Sequence, residues 1–187
     1  TGTKMRELAL NVLDITENSL SAGAKNIAIA LRADFERDEM EIRIRDDGCG
    51  MDAQMLARVT DPFTTTRTTR KVGMGLPLFK FSAESAGGDF SVKSEKGKGT
   101  EVCARYKIGH IDRMPLGDFG GVILQLITMN PGVDFLVSVE SDGKKAVLDT
   151  KEFRAVLEGI PLDAPQVRTF LRDYIQENLV TIYGGRL

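Results

Sequence analysis

The feature that most constrains the fold is a helical segment followed directly by two segments of strict alternation. Residues 4–22 place apolar side chains at steps of three and four, which predicts a helix, and Gly23 is placed to end it in a left-handed conformation. Residues 26–34 and 39–45 alternate apolar and polar side chains, which predicts two strands joined by a polar hairpin turn. The first part of the chain is therefore expected to mix helix and sheet.

The next segments are separated by clear cap and loop signals. Asp52 is placed to cap a short helix over residues 53–59, because its side chain can accept a hydrogen bond from the first turn. Residues 60–75 are rich in Thr, Gly and basic side chains and have no apolar period, which predicts a loop. The elements predicted after this loop are a helix and two strands, at residues 76–86, 90–94 and 100–108.

A boundary is predicted near residues 109–117, and it divides the chain into residues 1–109 and residues 110–187. The second part is predicted to be a small α+β extension, whose role is open between a structural addition and a module for partner docking or dimerisation. Its predicted elements are a helix at 119–129, a hairpin at 133–139 and 145–148, a helix at 151–157 capped by Thr150, and a helix at 165–183.

The composition of the 187 residues argues against several classes of protein. A net charge of −2 disfavours a dedicated nucleic-acid binder. No apolar run reaches the roughly 18 residues that a membrane-spanning helix needs, so we expect no membrane segment. Cys49 and Cys103 lack the spacing of metal ligands, which favours reduced thiols and a cytoplasmic location.

A polar stripe runs along the first predicted helix. Glu7, Asn11, Asp14 and Asn18 are spaced by four, three and four residues, so they share one face. Such a stripe is often only the solvent-exposed side of a helix. Asparagine is a mediocre helix former, however, and its amide oxygen suits a cation that phosphates already hold, so a site is the second interpretation.

A carboxylate followed by two glycines comes directly after the second predicted strand, in Asp46-Asp47-Gly48-Cys49-Gly50-Met51. Two glycines make a tight turn that leaves backbone accessible. Asp46 at the strand end can accept a hydrogen bond from an exocyclic amine such as that of adenine. The alternative interpretation is a glycine-rich turn with an aspartate cap.

A third motif, Gly73-Met74-Gly75, opens the helix after the basic loop. Glycines that lead into a helix amino terminus present free N–H groups and the positive end of the helix dipole to an anion. Arg67, Arg70 and Lys71 lie just before it and add positive charge. The motif matches neither the Walker P-loop nor the Rossmann fingerprint.

The order of these motifs resembles that of the GHKL nucleotide-binding family, which includes histidine-kinase catalytic domains, gyrase B and MutL. The resemblance covers about residues 5–108. The motifs that carry it are ENSLSAGA at 17–24, which is similar to the MutL form of the N box, DDGCG at 46–50, DPFTTTR at 61–67, GMGLPL at 73–78 and GKGTEV at 97–102.

The resemblance implies a Bergerat ATP-binding fold, an α/β (α+β) two-layer sandwich in which a mixed sheet is backed by helices. It implies ATP and Mg²⁺ as ligands, with Asn18 on the metal, Asp46 on the adenine amino group and Thr100 near the adenine end. Gly48 and Gly50 would admit the base, and Gly73 and Gly75 would hold phosphates. The full predicted binding set is Asn18, Asp46, Gly48, Gly50, Met51, Arg67, Arg70, Lys71, Gly73, Gly75, Leu76 and Thr100.

One departure from the family pattern bears on activity. MutL and gyrase B carry a glutamate as general base four residues before the metal asparagine, and this chain has Asp14 there, one methylene shorter. Three hypotheses follow. The first is an ATPase or kinase of histidine-kinase type that acts on a separate protein partner or phosphoacceptor, with a homodimer left open. The second is an ATP-sensing module without turnover, and the third is a MutL-like repair ATPase.

Overall fold

The computed structural model describes residues 6–61 and 75–187. The helices are α1 (Leu8–Ser21), α2 (Ala53–Thr60), α3 (Gly75–Ser85), α4 (Phe119–Met129), α5 (Thr150–Leu157) and α6 (Pro165–Tyr183). The strands are β1 (Asn26–Asp34), β2 (Glu39–Asp46), β3 (Phe90–Glu95), β4 (Gly99–Lys107), β5 (Asp134–Ser141) and β6 (Lys144–Asp149). Most of the predicted loop, residues 62–74, lies outside the described residues.

The six strands form one mixed sheet in the order β3-β4-β2-β1-β5-β6. All neighbours pair antiparallel except β1 and β5, which run parallel. One face carries the apolar residues of the alternating strands, such as Ile29 and Ile42, which are both fully buried. Helices α3, α4 and α6 join α1 and the sheet in one hydrophobic core. The predicted fold class, a mixed sheet backed by helices, is confirmed.

Helix α1 lies in the helical layer, where it contacts both α3 and α4. Its buried side, which includes Leu8, Val12 and Ile15, is 0–2% exposed. The polar stripe predicted from the sequence lies beside this buried side, on the flank where Gly75 of α3 approaches. The packing of α1 therefore fixes the polar stripe in a single position relative to α3.

The residues after position 109 continue the same sheet and core. Strand β5 pairs with β1 over eight residues, and Tyr183 at the end of α6 donates a hydrogen bond from its hydroxyl to the carbonyl oxygen of Leu31, at 2.6 Å. The division into residues 1–109 and 110–187 stays a prediction. Within the two described ranges, none of the helices has the length and apolar character needed to cross a membrane.

Most predicted elements are present, with small shifts at their ends. Asp52 caps α2, and its Oδ1 accepts a hydrogen bond from the Met55 N–H at 2.8 Å, as predicted. Gly23 adopts the predicted left-handed conformation, with φ of 76°. The predicted cap Thr150 is wrong by one residue, because Asp149 caps α5. The Thr150 hydroxyl instead accepts a hydrogen bond from the Phe135 N–H at 2.9 Å, so it ties α5 to β5.

Candidate nucleotide site

Asp46 is held in a fixed orientation at the end of β2. Its side chain is buried, with the residue only 9% exposed. The Ser19 hydroxyl of α1 donates to Oδ2 at 2.5 Å, and the Gly48 N–H donates to Oδ1 at 2.9 Å. Hydrogen bonds to a carboxylate are strong, so these two donors lock the group between α1 and the turn that follows β2. The sequence predicted Asp46 as a site residue, and the structure places it against the helix that carries Asn18.

The turn after β2 packs against the end of α1. The Cys49 N–H donates to the Ala22 carbonyl oxygen at 2.9 Å, and the Cys49 carbonyl oxygen accepts from the Gly97 N–H at 2.7 Å. A Cβ at Gly48 would lie 2.9 Å from the Cβ of Ala22. The turn is therefore clamped between α1 and the β3–β4 turn, and Gly48 permits the close approach.

Gly50 has a different requirement from the one that the resemblance implies. Its φ is +65°, and a Cβ there would lie only 2.0 Å from the carbonyl oxygen of Glu95. The space beside Gly50 is thus filled by the chain's own backbone. This glycine is needed for the turn to pack against β3, and a role in admitting the adenine ring stays a prediction.

We expect Gly50→Ala to lower the free energy of unfolding by about 2–5 kcal/mol, through left-handed strain and steric overlap. Gly97 is the matched control, because its φ is +84° and a Cβ there would have no atom within 4 Å. Gly97→Ala should cost about 1–2 kcal/mol, from strain alone. Urea unfolding of the two variants measures the difference. Equal losses would contradict a steric role for the contact with Glu95.

Thr100 lies opposite Asp46 on the neighbouring strand β4. Its hydroxyl is 2.8 Å from the Ser94 hydroxyl, which also accepts a hydrogen bond from the Met51 N–H at 2.8 Å. Ser94 therefore links Thr100 to Met51, two residues of the predicted binding set. Sequence reasoning missed Ser94, because a serine in a short edge strand carries no local signal of a site.

The polar stripe of α1 meets the amino terminus of α3. A Cβ built on Gly75 would lie 3.5 Å from Asn18 Nδ2 and 3.6 Å from the Cβ of Asp14. Since α3 begins at Gly75, the positive end of its dipole lies beside these two side chains. Leu76 is 6% exposed and anchors this end in the core. Asn18, Asp14 and the start of α3 thus lie side by side, and their roles in binding stay predictions.

The electrostatics of Asp14 suit proton transfer. Partial burial, and then the negative charge of Glu17, raise the pKa of the Asp14 carboxyl above its usual value. A carboxylate whose pKa is closer to 7 is a better general base at neutral pH. Asp14 is also exposed enough to meet water, and it lies one helical turn from Asn18.

The two consecutive aspartates at the end of β2 have different hydrogen-bond partners. Asp47 accepts hydrogen bonds at Oδ1 from the backbone N–H groups of Lys25 and Asn26, at 2.8 and 2.9 Å, and at Oδ2 from Asn26 Nδ2 at 2.8 Å. Burial alone would raise the pKa of Asp47, but the hydrogen bonds from Asn26 and Lys25 outweigh it and lower the pKa. Asp47 therefore anchors the start of β1, whereas Asp46 faces α1.

Four predicted site residues cannot be placed. Arg67, Arg70, Lys71 and Gly73 all lie in residues 62–74, outside the described residues.

Within the described part of the chain, His, Cys, Asp and Glu form no group of three or more that could hold a metal ion. An amide oxygen beside a carboxylate is the kind of oxygen donor that Mg²⁺ prefers, so the residues present fit that ion.

Comparison with known proteins identifies the family of the chain. The family described as "Histidine kinase-, DNA gyrase B-, and HSP90-like ATPase" matches residues 3–110, more than half of the chain. The chain therefore belongs to this ATPase family. The matched range contains Asp14, Asn18, Asp46 and Thr100, along with the start of α3.

The individual relatives include a sporulation kinase and sensor proteins. The chain is 32% identical over 97 residues to sporulation kinase E of Bacillus subtilis, covering 52% of this chain and 13% of that kinase. It is 35% identical over 102 residues to the sensor protein SrrB of Staphylococcus aureus, covering 52% of this chain and 17% of that protein. The chain thus spans less than a fifth of the length of these relatives.

A solved structure extends the likeness beyond the family match. The crystal structure of the N-terminal domain of a DNA repair protein aligns with 96% of this chain and 58% of its own, with a TM-score of 0.54 and 17% identity. At this identity the likeness shows the fold alone. It includes the carboxyl-terminal strands and helices, which the family match leaves out.

Proposed function

We propose that this protein binds ATP together with Mg²⁺ and uses it in ATP hydrolysis or phosphoryl transfer, acting with a separate protein partner. The observation that carries the proposal is that Asn18 and Asp14 of α1 lie beside the amino terminus of α3. Ser19, the residue next to Asn18, donates a hydrogen bond from its hydroxyl to Asp46 at 2.5 Å. Two adjacent residues of one helix thus face the start of α3 and Asp46, which supports a phosphate group at the first and a base at the second, and membership of the ATPase family supports the same proposal.

The roles of the residues follow from their chemistry. Asp46 would accept a hydrogen bond from the adenine amino group, and the N–H groups at the start of α3 would bind phosphate oxygens. Asn18 would supply an amide oxygen to Mg²⁺, whose charge offsets the charge that develops on the phosphates during transfer. Asp14 would hold a water molecule or an acceptor hydroxyl and take its proton.

Binding of ATP by the unmodified protein is the direct test. Because ligand binding stabilises only the folded state, ATP with Mg²⁺ at about 100 times its Kd is expected to raise Tm by roughly 5–10 °C. The stabilisation should shrink when Mg²⁺ is replaced by EDTA, and ADP should form slowly. Calorimetric titration measures the binding of ATP, and an assay for ADP measures its turnover. A protein that shows no saturable binding would contradict the proposal.

A second candidate is an ATP-sensing switch without turnover, and the observation that favours it is Asp14. This side chain is one methylene shorter than the family's glutamate. It also makes no hydrogen bond that would direct it toward a substrate among the described residues. Tight binding of ATP without formation of ADP, with or without partner proteins, would favour the switch.

A further inference from the structure

Asn11 belongs to the polar stripe of α1, yet the proposed function gives it no task. Its amide nitrogen Nδ2 is buried and has no hydrogen-bond partner among the described residues. A buried donor without a partner is rare, because the loss of its hydration is not compensated. The stability of the fold therefore does not explain why an asparagine stands at this position.

The packing around Asn11 does not require an amide. Leu8 and Ile15, one turn before and one turn after it on the buried side of α1, are 0% and 2% exposed. Leucine has nearly the same shape as asparagine and would fill the position without an unpaired donor. A polar group at this point therefore costs stability, and a cost of this kind is typical of functional sites.

We propose that Asn11 is a positioning residue for Asp14: in the filled site, its Nδ2 donates a hydrogen bond to the Asp14 carboxylate and fixes the orientation of that group. Residues three apart are neighbours on a helix surface. Side chains on a helix lean toward its amino terminus, so the Asp14 carboxylate leans over the turn that carries Asn11. The Asp14 side chain is exposed, and the proposal requires it to rotate until its carboxylate meets the Asn11 amide.

The order of residues along α1 supports this pairing. Ser19 holds Asp46 near the carboxyl end, Asn18 and Asp14 face Gly75 in the middle, and Asn11 is the next polar residue on the same stripe. On this stripe, Asn11 is the neighbour of Asp14 on its amino-terminal side. Among the described residues, the Asn11 amide is also the group on the stripe that has a buried donor without a hydrogen-bond partner. The inference rests on the proposed function, in which Asp14 accepts a proton.

The Asn11→Leu variant tests the proposal with three measurements on the full chain. The Tm of the nucleotide-free protein is expected to rise by about 2–4 °C, because the unpaired donor is removed. The Kd for ATP with Mg²⁺ should stay unchanged, because the proposal has Asn11 act on Asp14 and not on the nucleotide. The rate of ADP formation should fall about ten-fold, because a hydrogen bond to a charged group is lost. An amide with a purely structural role would instead give a lower Tm.

Ser141→Ala is the matched control. The Ser141 hydroxyl, at the end of β5, is also buried without a partner among the described residues. Its removal should raise Tm in the same way and leave ADP formation unchanged, which separates a general gain in stability from a loss at the site.

A double-mutant cycle shows whether Asn11 acts through Asp14. In an Asp14→Asn background, Asn11→Leu should reduce turnover no further, because the group it positions has gone. A full additional loss in that background, or normal turnover in Asn11→Leu itself, would overturn the proposal. A wild-type protein that forms no ADP would overturn the proposed enzymatic function as well, and that outcome is visible without any variant.

Discussion

The Asp46→Asn variant is expected to lose about 100-fold in affinity for ATP while it keeps its fold. The carboxylate is buried, and its two oxygens accept from Ser19 and Gly48, so its orientation is fixed, and in the proposed site it accepts from the adenine amino group. The asparagine amide has the same shape but no charge, and an NH₂ donor replaces one of the two acceptor oxygens. A donor that now faces an oxygen, from Ser19, Gly48 or adenine, would then face another donor. Hydrogen bonds to a charged acceptor contribute about 1.5–3 kcal/mol, which matches a loss of this size. Calorimetric titration with ATP measures it.

The neighbouring Asp47 provides a control with the same chemistry. Its carboxylate accepts hydrogen bonds from Lys25 and Asn26 and anchors the start of β1. Asp47→Asn should therefore lower Tm, since it weakens these hydrogen bonds, and should leave the affinity for ATP nearly unchanged. An equal loss of affinity in both variants would mean that the turn as a whole is disturbed. That result would contradict a specific adenine contact at Asp46.

The fold was largely predictable because its signals are local. Strand β1 was predicted at its observed bounds, and β2 and α2 to within one residue, since alternation and caps act over a few residues. The placement of β5 was not predictable in the same way. This strand inserts beside β1 in parallel, over 100 residues away in sequence, and no periodicity in residues 134–141 specifies that partner. Local patterns therefore could not predict that β5 pairs with β1 in the same sheet.

The site was predictable only where its residues stand in motifs. Asp46, Asn18 and Gly75 could be named because their order resembles a known family, but their mutual distances could not. Ser19 was missed as a site residue, although a polar residue on the buried side of an amphipathic helix was a usable signal. Its hydroxyl contacts Asp46, 27 positions away, and only the packing of α1 on β2 creates that pair. Long-range contacts of this kind depend on tertiary structure rather than on local pattern.

The Asn18→Ala variant is expected to form ADP about 1,000-fold more slowly than the wild type. In the proposed site the Asn18 amide oxygen binds Mg²⁺, and a metal that offsets phosphate charge contributes several kcal/mol to the transition state. The fold should persist, because Asn18 is only half-buried and its flank faces Gly75 rather than the core. Turnover measured over a range of Mg²⁺ concentrations, with Tm measured on the same samples, separates loss of the metal from loss of structure.

Two further variants decide how the Asn18→Ala result is interpreted. Ser21→Ala changes an exposed residue on the same helix and should leave turnover as it is. Asn18→Asp keeps an oxygen ligand, so it should recover part of the lost activity, most clearly at high Mg²⁺ concentration. Unchanged turnover in Asn18→Ala would contradict the metal role directly. A different result would favour the ATP-sensing switch. In that case ATP would still bind tightly to Asn18→Ala, and the wild type would form no ADP.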